Sequence, residues 1–146
     1  MTVQLEALDI LGDLLSRFGP ILQQYHAMLL DALLPQLNSG RQAVRKRTVS
    51  ALGHLAASCS LAHYQKMVEI LVEEMRKGLQ AGQANTYIQC CATVCRNAGS
   101  RFAEYLDQIV KMLMEACRVS DDDELKDNTL QVKKIVIFSG VNVKCQ

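Results

Sequence analysis

A pattern of apolar and small residues returns three times along the chain at a spacing of about forty residues. Val3, Leu11, Gly12 and Leu14 fall in the same register as Val44, Leu52, Gly53 and Leu55, and Tyr25, Tyr64 and Tyr105 recur in the segments between. A chain that repeats at this period, with two helical stripes in each unit, is constrained to a stack. No unit can bury its apolar face alone, so each buries it against the next.

The stripes set the units. Val3, Ala7, Leu8, Leu11, Leu14, Leu15 and Phe18 lie on one face of a first helix that Gly19-Pro20 ends, glycine accepting the left-handed conformation and proline suiting the first turn of the next helix. A second helix is expected over Ile21 to Leu37, carrying Leu22, Tyr25, Met28, Leu29 and Leu33, with Pro35 kinking or ending it. After the loop Asn38-Ser39-Gly40 the pattern restarts with Val44, Thr48, Ala51, Leu52 and Leu55. It continues over Ala62 to Leu79 with Tyr64, Met67, Val68, Leu71, Val72 and Met75. The third pair covers Asn85 to Asn97, ended by Gly99, and Phe102 to Arg118. Ser120 to Glu124 supplies the hydroxyl and carboxylates of a helix start, so a fourth unit begins there. The expected fold is all-α, an α-α superhelix of the HEAT or armadillo type. It has repeats at about 3–37, 42–79 and 85–118, a partial one from 121, and an array ending near 132. From 133 to 146 a divergent tail follows, in which Ile135, Val136, Ile137 and Val141 favour extended structure and Gly140 interrupts a helix.

Charge and composition exclude several functions. With 16 basic and 15 acidic side chains the net charge is +1, too little to hold a nucleic-acid backbone along a surface, so nucleic acid is not expected as the main partner. No apolar run approaches the ~20 residues that span a bilayer, and Met1 to Glu6 lack the basic-then-apolar layout of a secretory signal. An intracellular chain with no membrane span is expected, its six cysteines reduced.

Chemistry-bearing residues are sparse. Cys90, Cys91 and Cys95 sit on one predicted helix, with no second Cys or His pair at zinc-site spacing. A thiol nucleophile would need His54 or His63 as base, and no glycine-rich elbow or acidic orienting residue marks such a site. No enzyme, metal or cofactor is therefore expected, and His26, His54 and His63 are expected as partly exposed helix residues. Gly12 and Gly53 are expected where helices cross closely, since glycine otherwise weakens a helix. Tyr25, Tyr64 and Tyr105 are expected to pack between repeats with their hydroxyls at the rim. Arg41, Arg45, Lys46 and Arg47 stand out, because cations at a helix start oppose its dipole. They are the candidate residues for an acidic partner.

The strings LLPQL, AVRKRT, ALGHL, TYIQC and DDDEL, in that order across residues 3 to 131, resemble the cullin-associated, neddylation-dissociated proteins, most of all their second branch. That family is also called the TATA-binding-protein-interacting proteins. The resemblance implies a long HEAT-repeat solenoid without catalytic residues or cofactor. Such a solenoid wraps a cullin or cullin–RING complex and governs exchange of substrate receptors in ubiquitin ligases, in the nucleus or cytoplasm. Cullin, and by the second name the TATA-binding protein, are the implied partners. After Gln131 the resemblance stops, and no contact residue carries over. A nucleic-acid-binding solenoid or a helical-repeat adaptor unconnected with cullins is the alternative.

Overall fold

The computed structural model describes residues 2–81 and 83–138. Seven α-helices form among them: α1 (Thr2–Phe18), α2 (His26–Leu33), α3 (Gln42–Ser58), α4 (Leu61–Ala81), α5 (Asn85–Ala98), α6 (Ala103–Val119) and α7 (Asp123–Phe138). No strand occurs among the described residues. Helices α1, α3, α5 and α7 pack shoulder to shoulder in chain order, while α2, α4 and α6 form a second layer whose members touch more sparingly. One apolar core runs without a break from Leu8 and Leu15 through Leu52, Tyr64, Met67, Leu71, Ile88, Phe102 and Leu106 to Leu125 and Val132.

Local chemistry explains where the elements stop. Gly99 ends α5 with φ of 55°, a conformation that favours glycine. At the start of α7, Asp122 Oδ1 accepts from the N–H groups of Glu124 at 3.0 Å and Leu125 at 3.2 Å, satisfying amides that have no partner within the helix.

Four expectations about the elements need correcting. The second helix is not continuous: Gly19–Tyr25 and Leu34–Asn38 are 3₁₀ turns on either side of a short α2, with Pro20 and Pro35 at their starts, where a missing N–H costs least. Gly19 is not left-handed, since among the described residues positive φ belongs to Gly99. It is glycine because a Cβ there would stand 2.7 Å from Ser58 Cβ and 2.4 Å from its Oγ, closer than two such atoms can come. Gly53 fits the close-crossing expectation, its missing Cβ lying 2.6 Å from Thr93 Cγ2 on α5, but Gly12 faces open space. Finally, α7 continues to Phe138 through residues expected to be extended. Propagating a capped helix is easier than starting one, and each β-branched residue costs it under about 1 kcal/mol. Residues 139 to 146, with Gly140 and Val141, lie outside the described residues.

The first repeat also departs from its pattern. Val3, Ile10, Leu14 and Phe18 are 75%, 59%, 39% and 47% exposed, whereas in the same register Val44, Ala51 and Leu55 of α3 and Cys59 just after it are at 1% or less. Among the described residues helix α3 has α1 on one side and α5 on the other, whereas α1 packs mainly against α3 and the turn Gly19–Tyr25. Ile10→Gln is therefore expected to change unfolding free energy by under about 0.5 kcal/mol, as at other exposed positions. Ala51→Gln, which overfills the core and buries an amide, should cost about 2 kcal/mol or more. Urea denaturation of both variants reads the difference, and equal costs would show that α1 is covered.

Candidate partner-binding face

Four cations open α3, and the stack uses them differently. Arg47 on α3 reaches back to Asp9 on α1 with Nε at 2.8 and 3.0 Å from the two carboxylate oxygens, an exposed pair worth about 0 to 1 kcal/mol. Arg41 Nη1 donates to Gln4 Oε1 at 3.2 Å. Arg45 turns the other way and donates from Nη1 to the carbonyl of Ser39 at 2.8 Å. Lys46 is exposed and makes no ion pair with the described residues. Arg41 and Arg47 thus tie the first repeat to the second, which gives them a place in the fold that helix-dipole reasoning alone did not supply.

Arg45 and Lys46 line an open groove of about 480 Å³ between the start of α3 and the start of α5. Asn38, Gln42, Asn85, Tyr87 and Gln89 line it as well, and Glu124 stands at its far side. The Tyr87 hydroxyl donates to Asn38 Oδ1 across the repeat boundary. Lys46 and Gln89 also border a second depression of about 250 Å³ with Thr93, Arg96, Asn128 and Gln131. The two depressions are therefore adjacent, with Lys46 and Gln89 on the border of both. Asn128 on α7 links them further, donating to Asn85 Oδ1 at 3.1 Å and accepting from Gln89 Nε2 at 3.4 Å. None of Asn85, Gln89, Asn128 or Arg96 stands out in the sequence. The i,i+4 spacing of Asn85 and Gln89 puts both amides on one helix face, but only the stacking of α5 against α7 brings Asn128 beside them.

The thiols are built as core. Cys59, Cys90, Cys91 and Cys95 are buried and Cys117 is half-buried, none in a disulfide. Burial pushes the Cys90 thiol well above the ordinary thiol range and Cys91 up to about 12; Cys95 and Cys59 also rise through burial. A catalytic thiol is shifted the other way. A thiol that ionises later in the folded than in the unfolded chain adds stability below the unfolded value, near pH 9, and loses it as pH climbs toward the folded value. The unfolding free energy is therefore expected to be insensitive to these groups from pH 6 to 8 and to fall between about pH 9 and 11, by up to about 1.4 kcal/mol per pH unit for each thiol involved, which the melting temperature would register as a drop over that range. Cys90 and Cys91 should also react with thiol reagents far more slowly than in denatured protein. A rise in stability above pH 9, or rapid labelling of both, would contradict their burial.

The histidines and tyrosines divide. His54 and His63 are half-buried as expected, whereas His26 is fully buried, its Nε2 2.8 Å from the Gly19 carbonyl oxygen and its Nδ1 without a partner. Tyr64 is buried with its hydroxyl unpartnered rather than at the rim, Tyr105 is half-buried, and Tyr25 is 45% exposed. Among the described residues no three His, Cys, Asp or Glu side chains come together as a metal site, and no helix is long and apolar enough to cross a membrane.

The model of the HEAT-like repeat family matches residues 1–55. Cullin-associated NEDD8-dissociated protein 2 of Mus musculus is 50% identical to the chain over 134 residues, and that of Rattus norvegicus 48%. Cullin-associated NEDD8-dissociated protein 1 of Drosophila melanogaster is 43% identical over 131 residues. Each match covers 90% of the chain, which spans about a tenth of the length of these relatives. With its stacked helix pairs and this identity, the chain is a helical-repeat homologue, over nine-tenths of its length, of a stretch of the cullin-associated NEDD8-dissociated proteins.

Proposed function

We propose that the chain acts as a protein-binding scaffold that contributes part of the surface on which a cullin or cullin–RING complex is held. Through that surface it would serve assembly of cullin ligases and exchange of their substrate receptors. The observation that carries the reading is the 50% identity, over nine-tenths of the chain, to a protein named for its association with cullins. The fold supports it. Raised thiols suit a core and not a nucleophile, and the polar face of α3, α5 and α7 offers side chains for protein contact. A long solenoid gathers affinity from many linked contacts, and a chain with a tenth of that length loses the effective-concentration gain.

Titrating a purified cullin into the chain by calorimetry tests the reading. Weak binding is expected, with a Kd on the order of 10 µM or above, which weakens further as salt screens the cations over ~8 to 10 Å. Replacing Arg41, Arg45, Lys46 and Arg47 together with alanine should weaken it again. Tight binding that ignores both salt and the four replacements would overturn the assignment of these residues. Absence of binding to cullins, with binding to the TATA-binding protein in a parallel titration, would overturn the cullin reading.

A further inference from the structure

The two depressions on the α3–α5–α7 face are neighbours that share Lys46 and Gln89 on their borders, and we propose that together they act as one trough that receives an extended acidic segment of a partner protein. The proposal rests on the reading of the chain as a protein-binding scaffold and names the chemistry of what it binds. Three features carry it. Arg45, Lys46 and Arg96 border the trough and Glu124 is the single acid along it among the described residues, so its potential favours a segment rich in Asp and Glu. Between the cations lie carboxamides, held by one another: with Asn128 bonded to both, Gln89 Oε1 and Asn85 Nδ2 have no partner among the described residues. One free acceptor and one free donor on the same helix face suit the N–H and C=O groups of an extended backbone, whatever its side chains. The third feature is length. The trough crosses from α3 over α5 to α7, two helix spacings of about 8 to 10 Å each, enough for about six extended residues.

Division of labour among the cations fits this arrangement. Arg41 and Arg47 are turned to α1 by Gln4 and Asp9, whereas Lys46 borders both depressions. It is the cation a segment lying along the trough would pass most closely.

The test is fluorescence anisotropy with the full chain and a labelled ten-residue peptide alternating Asp or Glu with Gly or Ser. A second peptide carries Asn and Gln in place of the acids. The acidic peptide should bind and the neutral one should not, and raising salt should weaken binding. Lys46→Glu and Arg96→Glu, both exposed and so compatible with an unchanged circular dichroism spectrum, should each weaken it at least about fivefold. Lys111→Glu on α6, where Lys111 pairs with Asp107, should leave it unchanged. Equal binding of the neutral peptide, or no effect of Lys46→Glu and Arg96→Glu, would overturn the proposal. So would tighter binding of a labelled oligouridylate than of the acidic peptide. Calorimetry of the same variants against a cullin separates the two readings. Cullin binding without peptide binding fails the trough alone, and peptide binding without cullin binding fails the cullin reading alone.

Discussion

Leu52→Ala is expected to lower unfolding free energy by about 2 to 5 kcal/mol, the range for large-to-small changes in a packed core. Leu52 is fully buried near the middle of α3, the helix with neighbours on both flanks in its layer and α2 against it from the other. Its surroundings cannot collapse readily into the space that three lost carbons leave, because rigid helices frame it on several sides. Against a total stability of about 5 to 15 kcal/mol for a chain of this kind, the loss should move the urea midpoint by a large fraction. An unchanged midpoint would mean that the buried face of α3 lies elsewhere. Leu11 holds the same register in the first repeat but is half-buried, so Leu11→Ala should cost clearly less.

Tyr64→Ala should be as damaging, at about 3 to 5 kcal/mol, and its comparison with Tyr64→Phe is the informative part. The ring is fully buried and the Arg101 guanidinium sits 5.7 Å from its centre. From there Arg101 Nη1 donates to the carbonyl of Cys59 at 2.7 Å, at the end of α3, where helix carbonyls have no partner within the helix. Removing the ring leaves a cavity and takes away the surface that holds this cap in place. The hydroxyl is another matter. It is buried without a hydrogen-bond partner, and burial raises its pKa, so it stays neutral through ordinary pH. A buried unpaired hydroxyl costs free energy. Tyr64→Phe is thus expected to be neutral or to stabilise by up to about 1 kcal/mol. Thermal unfolding of both variants decides it: a Phe variant as unstable as the Ala variant would show that the hydroxyl has a partner.

The register of Val44, Leu52, Tyr64 and Met67 made the stack legible, because helical period and internal repetition both follow from how side chains are spaced. What depends on neighbours was not legible. Val3 and Leu14 match Val44 and Leu55 as residues and differ from them in burial, because among the described residues α3 is flanked by α1 and α5 whereas α1 has a helix of its layer, α3, on one flank. His26 carries no sequence sign that a carbonyl from the Gly19 turn meets its ring. Ile135 to Phe138 read as extended from propensity alone, yet the cap at Asp122 and the burial of Leu125 and Val132 carry α7 through them. The candidate site shows the same division. The cluster Arg41, Arg45, Lys46 and Arg47 could be found from charge, but its split into two that tie repeats together and two that line a trough required Asp9, Gln4 and Asn85 to be placed in space.

On the proposed function, partners are held by the α3–α5–α7 face. Amide line broadening in ¹⁵N-labelled chain, as a purified cullin is added at low salt, tests it residue by residue and suits weak binding. Broadening is expected to centre on Arg45, Lys46, Asn85, Gln89 and Arg96, with α4 and α6 little affected. Broadening centred instead on Val3, Ile10 and Leu14 of α1, or on the outer faces of α4 and α6, would contradict it.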